Sequence, residues 1–226
     1  MTVGCRNDLQ PVENGRDSTG MVVFTTRGHV ALIADSDVSA AVADALGAVA
    51  GLATLSIAAP GVSVLSLAQA AGACDLSCRE DVPVSVDGWL GAFALDFADG
   101  SRTVADVVID LAGMPPSDRS VPPLGYFAPR DREHVAEALA QAAELVGRFS
   151  KPKYFHYDPE ICTHQSFGQT GCTRCLAVCA ADAIRSEGGR IAVEPQLCQG
   201  CAACTLACPT GALSYAGADR GELLAR

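Results

Sequence analysis

The 226-residue sequence lacks the long apolar run that a membrane-spanning helix requires, because no stretch reaches about 18 uninterrupted apolar residues. Its longest apolar region is interrupted four times, by Asp44, Gly47, Gly51 and Pro60. The first 20 residues are polar and lack the basic start and apolar segment of a secretory signal. These absences predict a cytoplasmic protein with no membrane span and a flexible tail over residues 1–20.

The sequence also lacks a basic stripe. Its net charge is −10, with nine basic and 19 acidic residues in positions 1–149 and seven of each in positions 150–226. Nucleic acids are bound through clustered Lys and Arg that neutralise phosphates. The composition therefore predicts that nucleic acid is not a partner.

A glycine-rich phosphate-binding turn is missing as well. Residues 21–112 alternate strand-like and helix-like patterns, which predicts a small α/β domain, a Rossmann-like layer. The predicted strands are Met21–Thr26, His29–Ala34, Leu52–Ala58, Val62–Gln69, Val82–Val86, Ala92–Phe97 and Val104–Leu111, with one helix after Asp37. The junction before that helix reads ADSDVSAAVADAL, without the G-x-G-x-x-G fingerprint, and Asp35 and Asp37 would repel a phosphate there. The sequence thus argues against an intact dinucleotide site.

Residues 113–150 are predicted to form a Pro-rich loop and a connecting helix. Positions 113–130 hold five prolines, which interrupt both helices and strand ladders. Apolar residues then recur at three- and four-residue spacing from Asp131 to Phe149, which predicts an amphipathic helix over that range.

Cysteine is the residue that the sequence has in excess. Eight of the 11 cysteines lie in the 47 residues from Cys162 to Cys208, inside a predicted domain of residues 151–226. An internal repeat with an offset of 29 residues aligns Cys172–Ile184 with Cys201–Leu213. The second copy has the spacing Cys198-x2-Cys201-x2-Cys204-x3-Cys208-Pro, which is the bacterial iron–sulfur run.

The first copy departs from that pattern, because nine residues instead of two separate its leading Cys162 from Cys172. Short x2 gaps let one loop wrap three corners of a cubane, and after the x3 gap the fourth thiolate ligates the other cluster. Two 4Fe–4S clusters are therefore expected, each with four ligands. The first takes Cys162, Cys172, Cys175 and Cys208, and the second takes Cys198, Cys201, Cys204 and Cys179.

Short strands are predicted around these cysteines, at Lys153–Tyr157, Ala183–Ser186, Arg190–Val193 and Leu213–Ala216. With two short helices they give the α+β layout of a bacterial dicluster ferredoxin-like domain. Alternatives for the cysteines are zinc sites, a disulfide scaffold, and a single surviving cluster or a 3Fe–4S centre in the altered first site.

Other candidate residues have ordinary structural explanations. Cys5, Cys74 and Cys78 are expected to be free or partly buried thiols, and His164 an exposed loop histidine that could otherwise tune a cluster. Trp89 is expected to be a packing anchor rather than an electron relay. No catalytic residue is predicted.

The cysteine region resembles two-cluster ferredoxins of the bacterial type. The resemblance extends to segments such as DGWLGAF, ADVVIDLAG, LGYFAPRD and VGRFSKPKYFHYDPEICTH, so that residues 82–216 resemble the N-terminal half of larger bacterial 4Fe–4S ferredoxin-type proteins. That family is often found beside formate dehydrogenase or related molybdenum enzymes. Its members typically continue with further cluster motifs, which implies that this chain is a fragment or a short version.

Three functions follow as hypotheses. The first is an electron carrier or electron-transfer subunit that relays single electrons to or from a partner oxidoreductase, such as formate dehydrogenase. The second is a module of a flavin- or NAD(P)-linked oxidoreductase, which the missing glycine fingerprint argues against. The third is a non-redox assembly or regulatory iron–sulfur protein.

Overall fold

The computed structural model describes residues 20–46, 52–63, 67, 74–114, 120–131, 134–166 and 169–216. The predicted flexible tail lies outside these residues, except for Gly20. The chain divides into two compact units. The first unit comprises residues 1–14, 23–118 and 122–149, and the second comprises residues 15–22, 119–121 and 150–226.

Parallel strands dominate the first unit. Its strands are β1 (Met21–Thr26), β2 (His29–Ile33), β3 (Thr54–Ala58), β4 (Asp75–Arg79), β5 (Ser85–Asp87), β6 (Phe93–Asp96), β7 (Arg102–Ala105), β8 (Val107–Asp110), β9 (Tyr126–Phe127) and β10 (Gly147–Pro152). A five-stranded parallel sheet has the order β4-β3-β2-β8-β9, and β5, β6 and β7 form an antiparallel sheet. The strands β1 and β10 pair with each other, and the boundary between the units falls within both.

The alternation of strand residues builds the core of the first unit. Ala31, Ile33 and Val108 on one face of the parallel sheet pack against Phe93 and Leu95 of the antiparallel sheet. The helices are α1 (Ser39–Leu46) and α2 (Val135–Glu144), which pack on each other, and α2 also packs on β8. Parallel strands covered on both faces are expected to be apolar throughout, and every residue of β2 is buried.

The predicted strand Val104–Leu111 is wrong, because the structure has two strands that belong to different sheets. The break falls at Asp106, whose Oδ2 accepts the backbone N–H groups of Arg27 (2.6 Å) and His29 (3.0 Å). Its own N–H donates to the His29 carbonyl at 2.8 Å. These hydrogen bonds turn the chain between the sheets, an effect that apolar periodicity cannot reveal.

The predicted helix Asp131–Phe149 is too long at both ends. Helix α2 ends at Glu144, and Phe149 lies in strand β10. The Thr26 hydroxyl donates to the Leu145 carbonyl at 2.6 Å and accepts the Gly147 N–H at 2.9 Å, while Gly147 has a φ of +129°. A long-range side-chain contact thus ends the helix where the periodicity continues.

The predicted strand Val62–Gln69 is also wrong at Leu67, which is the one described residue of that range that lies in a helix or strand. Leu67 is helical, and its N–H donates to the Ser63 carbonyl at 3.3 Å. Most of the remaining residues of that prediction lie outside the described part of the chain. The strands β4, β9 and β10 were not predicted, because β4 is polar and β9 has only two residues.

Short hairpins make up the second unit. Its strands are β11 (Phe155–Tyr157), β12 (Gln165–Ser166), β13 (Gln169–Thr170), β14 (Ile184–Glu187), β15 (Arg190–Val193) and β16 (Leu213–Tyr215), and its helices are α3 (Arg174–Ala177) and α4 (Ala203–Ala207). The antiparallel pairs are β11–β16, β12–β13 and β14–β15. A small core contains Phe155, Cys175, Ile184, Ile191 and Leu213.

None of the helices in the described part of the chain has the length and apolar character needed to cross a bilayer.

Candidate iron–sulfur site

The enlarged loop after Cys162 is a β-hairpin. Strands β12 and β13 pair in it, and at its base the Gly171 N–H donates to the His164 carbonyl (2.6 Å) and the Cys172 N–H donates to the Thr163 carbonyl (3.0 Å). A Cβ on Gly171 would lie 2.6 Å from the Thr163 oxygen, so the close approach needs glycine there. The hairpin therefore brings Cys162 back beside Cys172 despite the nine residues between them.

Four predicted ligands line one small cavity of the second unit. They are Cys162, Cys172, Cys175 and Cys208, and the walls between them include Ile191, Pro209 and Leu213. Three of these thiols belong to the first copy of the repeat, and Cys208 belongs to the second. The fourth cysteine of one copy thus lies with the first three of the other.

The remaining four predicted ligands also lie near one another. Burial is the main cause that raises the pKa of Cys198, and the thiols of Cys179 and Cys201 raise it further. Burial likewise raises the pKa of Cys204, with further contributions from Cys198 and Cys179. Because thiols influence one another's ionisation only at short range, these four cysteines form a second group.

Backbone amides point at the sulfur atoms that follow the x3 gaps. The Ala183 N–H donates to Cys179 Sγ at 3.3 Å. Burial opposes ionisation of Cys208, but hydrogen bonds from Leu213, Thr210 and Ala212 outweigh it, so the pKa of Cys208 is lowered. Such amides stabilise negative charge on a thiolate, and they also set the potential of a bound iron–sulfur cluster.

A half-buried cation lies beside the second group. The Lys151 ammonium donates to the carbonyls of Gln196 (2.7 Å) and Cys198 (2.8 Å). Burial lowers the pKa of Lys151 to about 8, and the Cys198 thiol partly opposes this shift. Lys151 is therefore still mostly protonated at neutral pH. The sequence did not single out Lys151, because its pattern predicts a helix that ends at Phe149 and does not predict strand β10.

Two polar side chains lie at the first group. The expectation that His164 is exposed is wrong, since only 3% of its surface is accessible. Its Nδ1 lies 2.9 Å from the Cys172 carbonyl and its Nε2 lies 2.8 Å from Ser186 Oγ. Because a carbonyl can only accept, Nδ1 carries a proton and donates to Cys172. His164 thereby fastens the hairpin to the cysteine loop.

The other polar side chain is Tyr157. Burial, followed by the Cys162 side chain, raises the pKa of Tyr157 to about 12. Its hydroxyl is shielded from solvent and makes no hydrogen bond of standard geometry among the described residues, although the Cys162 side chain and the Ile191 backbone lie close to it. Tyr157 was not a predicted site residue, because a tyrosine in a strand ordinarily contributes packing.

The remaining candidates are not brought to these cysteines. Cys74 and Cys78 are partly exposed thiols at strand β4 of the first unit, and burial raises the pKa of each. Trp89 is half-buried in the same unit, and its Nε1 is shielded from solvent without a partner. Cys5 lies outside the described residues. None of the ten described cysteines is in a disulfide.

The chemistry of the donor set fits 4Fe–4S binding. All eight side chains are thiols, which are the usual ligands of these clusters. The shielded Tyr157 hydroxyl beside Cys162 could donate a hydrogen bond to a cluster sulfur. In the described residues, no group of three or more His, Cys, Asp or Glu side chains is arranged around a single metal ion.

Comparisons with known proteins agree with this chemistry. Residues 170–213 match the family described as "4Fe-4S dicluster domain". A 39-residue stretch is 54% identical to "Putative electron transport protein YsaA" of Escherichia coli (strain K12), covering 17% of this chain and 25% of that protein. The chain thus matches about a quarter of the length of this curated relative.

These findings define the class of protein. The chain is mixed α/β, and its C-terminal part is a 4Fe–4S ferredoxin-like domain that binds at least one 4Fe–4S cluster. The family match and the partial similarity to a protein named as a putative electron transport protein support iron–sulfur electron transfer as the function to be proposed.

Proposed function

We propose that residues 151–226 hold two 4Fe–4S clusters and relay single electrons between redox protein partners. The first cluster is held by Cys162, Cys172, Cys175 and Cys208, and the second by Cys198, Cys201, Cys204 and Cys179. One observation carries the proposal: Cys208, from the second copy of the repeat, lines the same cavity as three cysteines of the first site. This is the exchange of fourth ligands that two-cluster ferredoxins require.

In an electron relay, some residues of the chain would bind the clusters and others would offset their negative charge. Each cluster, when bound, supplies a centre that takes up one electron from a donor protein and passes it to an acceptor protein. The eight thiolates hold the iron, and together with two oxidised cores they add a charge of roughly −4. The Ala183 N–H at Cys179 and the Lys151 ammonium at the Cys198 loop offset part of that negative charge.

The first unit is proposed to dock or dimerise. Its five-stranded sheet is parallel, which is compatible with the predicted Rossmann-like layer, and residues 1–149 carry all of the net negative charge of the chain. An oxidoreductase is proposed as the partner, with formate dehydrogenase or a related molybdenum enzyme favoured by the sequence resemblance. The cytoplasmic location and the division into domains at residues 21–112, 113–150 and 151–226 are part of the same proposal.

Anaerobic purification of the full chain tests this function. We expect about eight irons and eight sulfides per chain and, after reduction, an EPR spectrum of two interacting centres. About four irons with one centre would contradict the two-cluster proposal, and stoichiometric zinc would contradict the iron–sulfur role. Reduction by NAD(P)H alone, with bound flavin, would instead support the oxidoreductase module.

A further inference from the structure

The Tyr157 hydroxyl is a donor that is shielded from solvent and makes no hydrogen bond of standard geometry among the described residues, whereas most buried polar groups have a partner. Leaving such a hydroxyl unpaired is unfavourable, and a phenylalanine would fill the same space without that cost. A hydroxyl at such a position therefore fits a partner that binds there.

The surroundings of this hydroxyl place it beside the cysteines of the first site. Tyr157, Glu160, Cys162, His164 and Arg190 are among the residues that line one cavity of about 230 Å³. Arg190 is only a donor, both ring nitrogens of His164 are already engaged by Cys172 and Ser186, and Glu160 is exposed to solvent. The Cys162 side chain interacts with the Tyr157 hydroxyl, and its sulfur becomes a much better acceptor as a thiolate bound to iron.

We propose that Tyr157 donates a hydrogen bond to a sulfur atom of the first iron–sulfur site, at or beside Cys162 Sγ, and thereby raises the reduction potential of that site above the value that thiolates and backbone amides alone would set. The inference rests on the proposed function, because it requires an iron–sulfur cluster at Cys162. Tyr157 acts as a positioning and tuning residue. It exchanges no electrons and forms no covalent bond.

The sign of the effect follows from charge. Reduction adds one negative charge to the cluster, and a hydrogen bond to sulfur stabilises the more negative form. Removing the donor therefore lowers the potential. At the second site, in the part of the chain that the structure describes, Tyr154 places its ring against Gly200 and is not among the tyrosines with a shielded, unpaired hydroxyl. Only one of the two potentials should change.

The test compares Tyr157→Phe with Tyr215→Phe in the anaerobically purified full chain. Tyr215 lies on β16, paired with β11, and is 47% exposed, so its variant controls for loss of a phenol in the same small sheet. We expect unchanged iron content in both. In Tyr157→Phe one redox equilibrium constant should fall about tenfold, which is 59 mV for a one-electron couple. Tyr215→Phe should leave both potentials unchanged.

A second measurement detects the hydrogen bond itself. In D2O, electron–nuclear double resonance of the reduced wild-type protein should show an exchangeable deuteron coupled to one centre, beyond those of the backbone amides, and that coupling should be missing in Tyr157→Phe. A full complement of iron with both potentials unchanged, or no such deuteron in the wild type, would overturn the inference and leave the two-cluster function standing. Absence of iron–sulfur signals in the wild type would overturn the proposed function itself.

Discussion

The two units satisfy their buried polar groups in different ways. In the first unit His29, Asp106 and Asp110 all find protein partners; Asp110, for example, accepts from the N–H groups of Ala112, Gly113 and Met114 and from the Tyr126 hydroxyl. In the second unit, buried atoms of Tyr157, Gln196 and Gln199 have no partner among the described residues, and eight thiols are present. In the described part of the first unit only the Trp89 Nε1 lacks a partner in this way, so that unit satisfies more of its interior with its own groups.

The apolar cores differ in the same direction. The first unit has two sheets that enclose fully buried large side chains such as Phe93, Leu95 and Ile109. Among the described residues, the main apolar cluster of the second unit has five buried members, one of which is Cys175, and partly buried cysteines lie around it. A domain with so small a core is expected to draw much of its folding free energy from bound metal. The comparison yields five predictions, beginning with the largest effect.

Removal of iron should unfold the second unit and spare the first. Because ligand binding energy is folding energy in a cofactor-dependent domain, treatment with a chelator and an oxidant should abolish amide protection in residues 150–216. Strands β2, β3 and β8 should keep theirs. Hydrogen exchange with mass spectrometry measures both in one sample, and equal loss in the two units would contradict the comparison.

Single cysteine substitutions should each remove one site, and in interleaved pairs. Cys208→Ser should lose the same centre as Cys162→Ser, and Cys179→Ser the same as Cys198→Ser, with iron falling from about eight to about four per chain. EPR spectra of the remaining centre identify the pairs. If Cys208→Ser instead matched Cys198→Ser, the ligands would follow sequence order. Cys78→Ser, in the first unit, is the control and should leave the iron unchanged.

Two glycine substitutions should separate the sites by backbone strain. A Cβ in Gly171→Ala meets the Thr163 carbonyl at 2.6 Å, and one in Gly200→Ala meets the Tyr154 ring at 2.8 Å at a φ of +73°. Each should cost roughly 1–3 kcal/mol. Gly171→Ala should weaken iron retention at the first site only, and Gly200→Ala at the second only. Timed chelation followed by EPR measures this selectivity.

The charge of Lys151 should separate the two potentials. Lys151→Gln removes a half-buried cation that donates to the Cys198 carbonyl, so the second site should become harder to reduce, by about tenfold in its redox equilibrium or ~59 mV. Lys153→Gln is the matched control, because that ammonium lies 4.9 Å over the Phe155 ring and has no bond to the cysteine loop. A shift of equal size in both variants would point to general surface charge.

The smallest effect concerns pH and the first unit. Burial lowers the pKa of His29 from 6.5, although Asp106 and Asp75 oppose the shift. The unfolded chain therefore binds a proton near pH 6.5 that the folded unit resists, so stability is full above that pH and declines as the pH falls below it. The slope is at most about 1.4 kcal/mol per pH unit.

Substitution provides the check on this slope. His29→Gln can keep a hydrogen bond to Ser56 Oγ, which now lies 2.8 Å from His29 Nε2, and it should flatten the slope. Urea unfolding of strands in the first unit at pH 7 and 5.5 measures it. An equal slope in His29→Gln would show that the decline comes from other groups.

Local pattern was sufficient for several elements, and the two misplaced element ends at Asp106 and Glu144 have one kind of cause. The strands Met21–Thr26 and Arg190–Val193 have the predicted bounds, because apolar, β-branched runs with turn residues beside them determine such strands locally. The misjudged elements end at contacts from distant residues. Thr26 ends helix α2, and Asp106 divides one apolar run between two sheets. No window of sequence contains both partners of these contacts.

For the site, the sequence by itself determined the ligand type, the repeat and the iron–sulfur class, because thiolate spacing is a covalent property of the chain. Only the tertiary structure decided how Cys162 reaches Cys172, since a hairpin closes the gap through backbone hydrogen bonds. It alone also placed Lys151 beside one group of cysteines, and Tyr157 and His164 beside the other. Burial and proximity arise when distant segments pack together, and these set the charge and hydrogen bonding that each thiolate experiences.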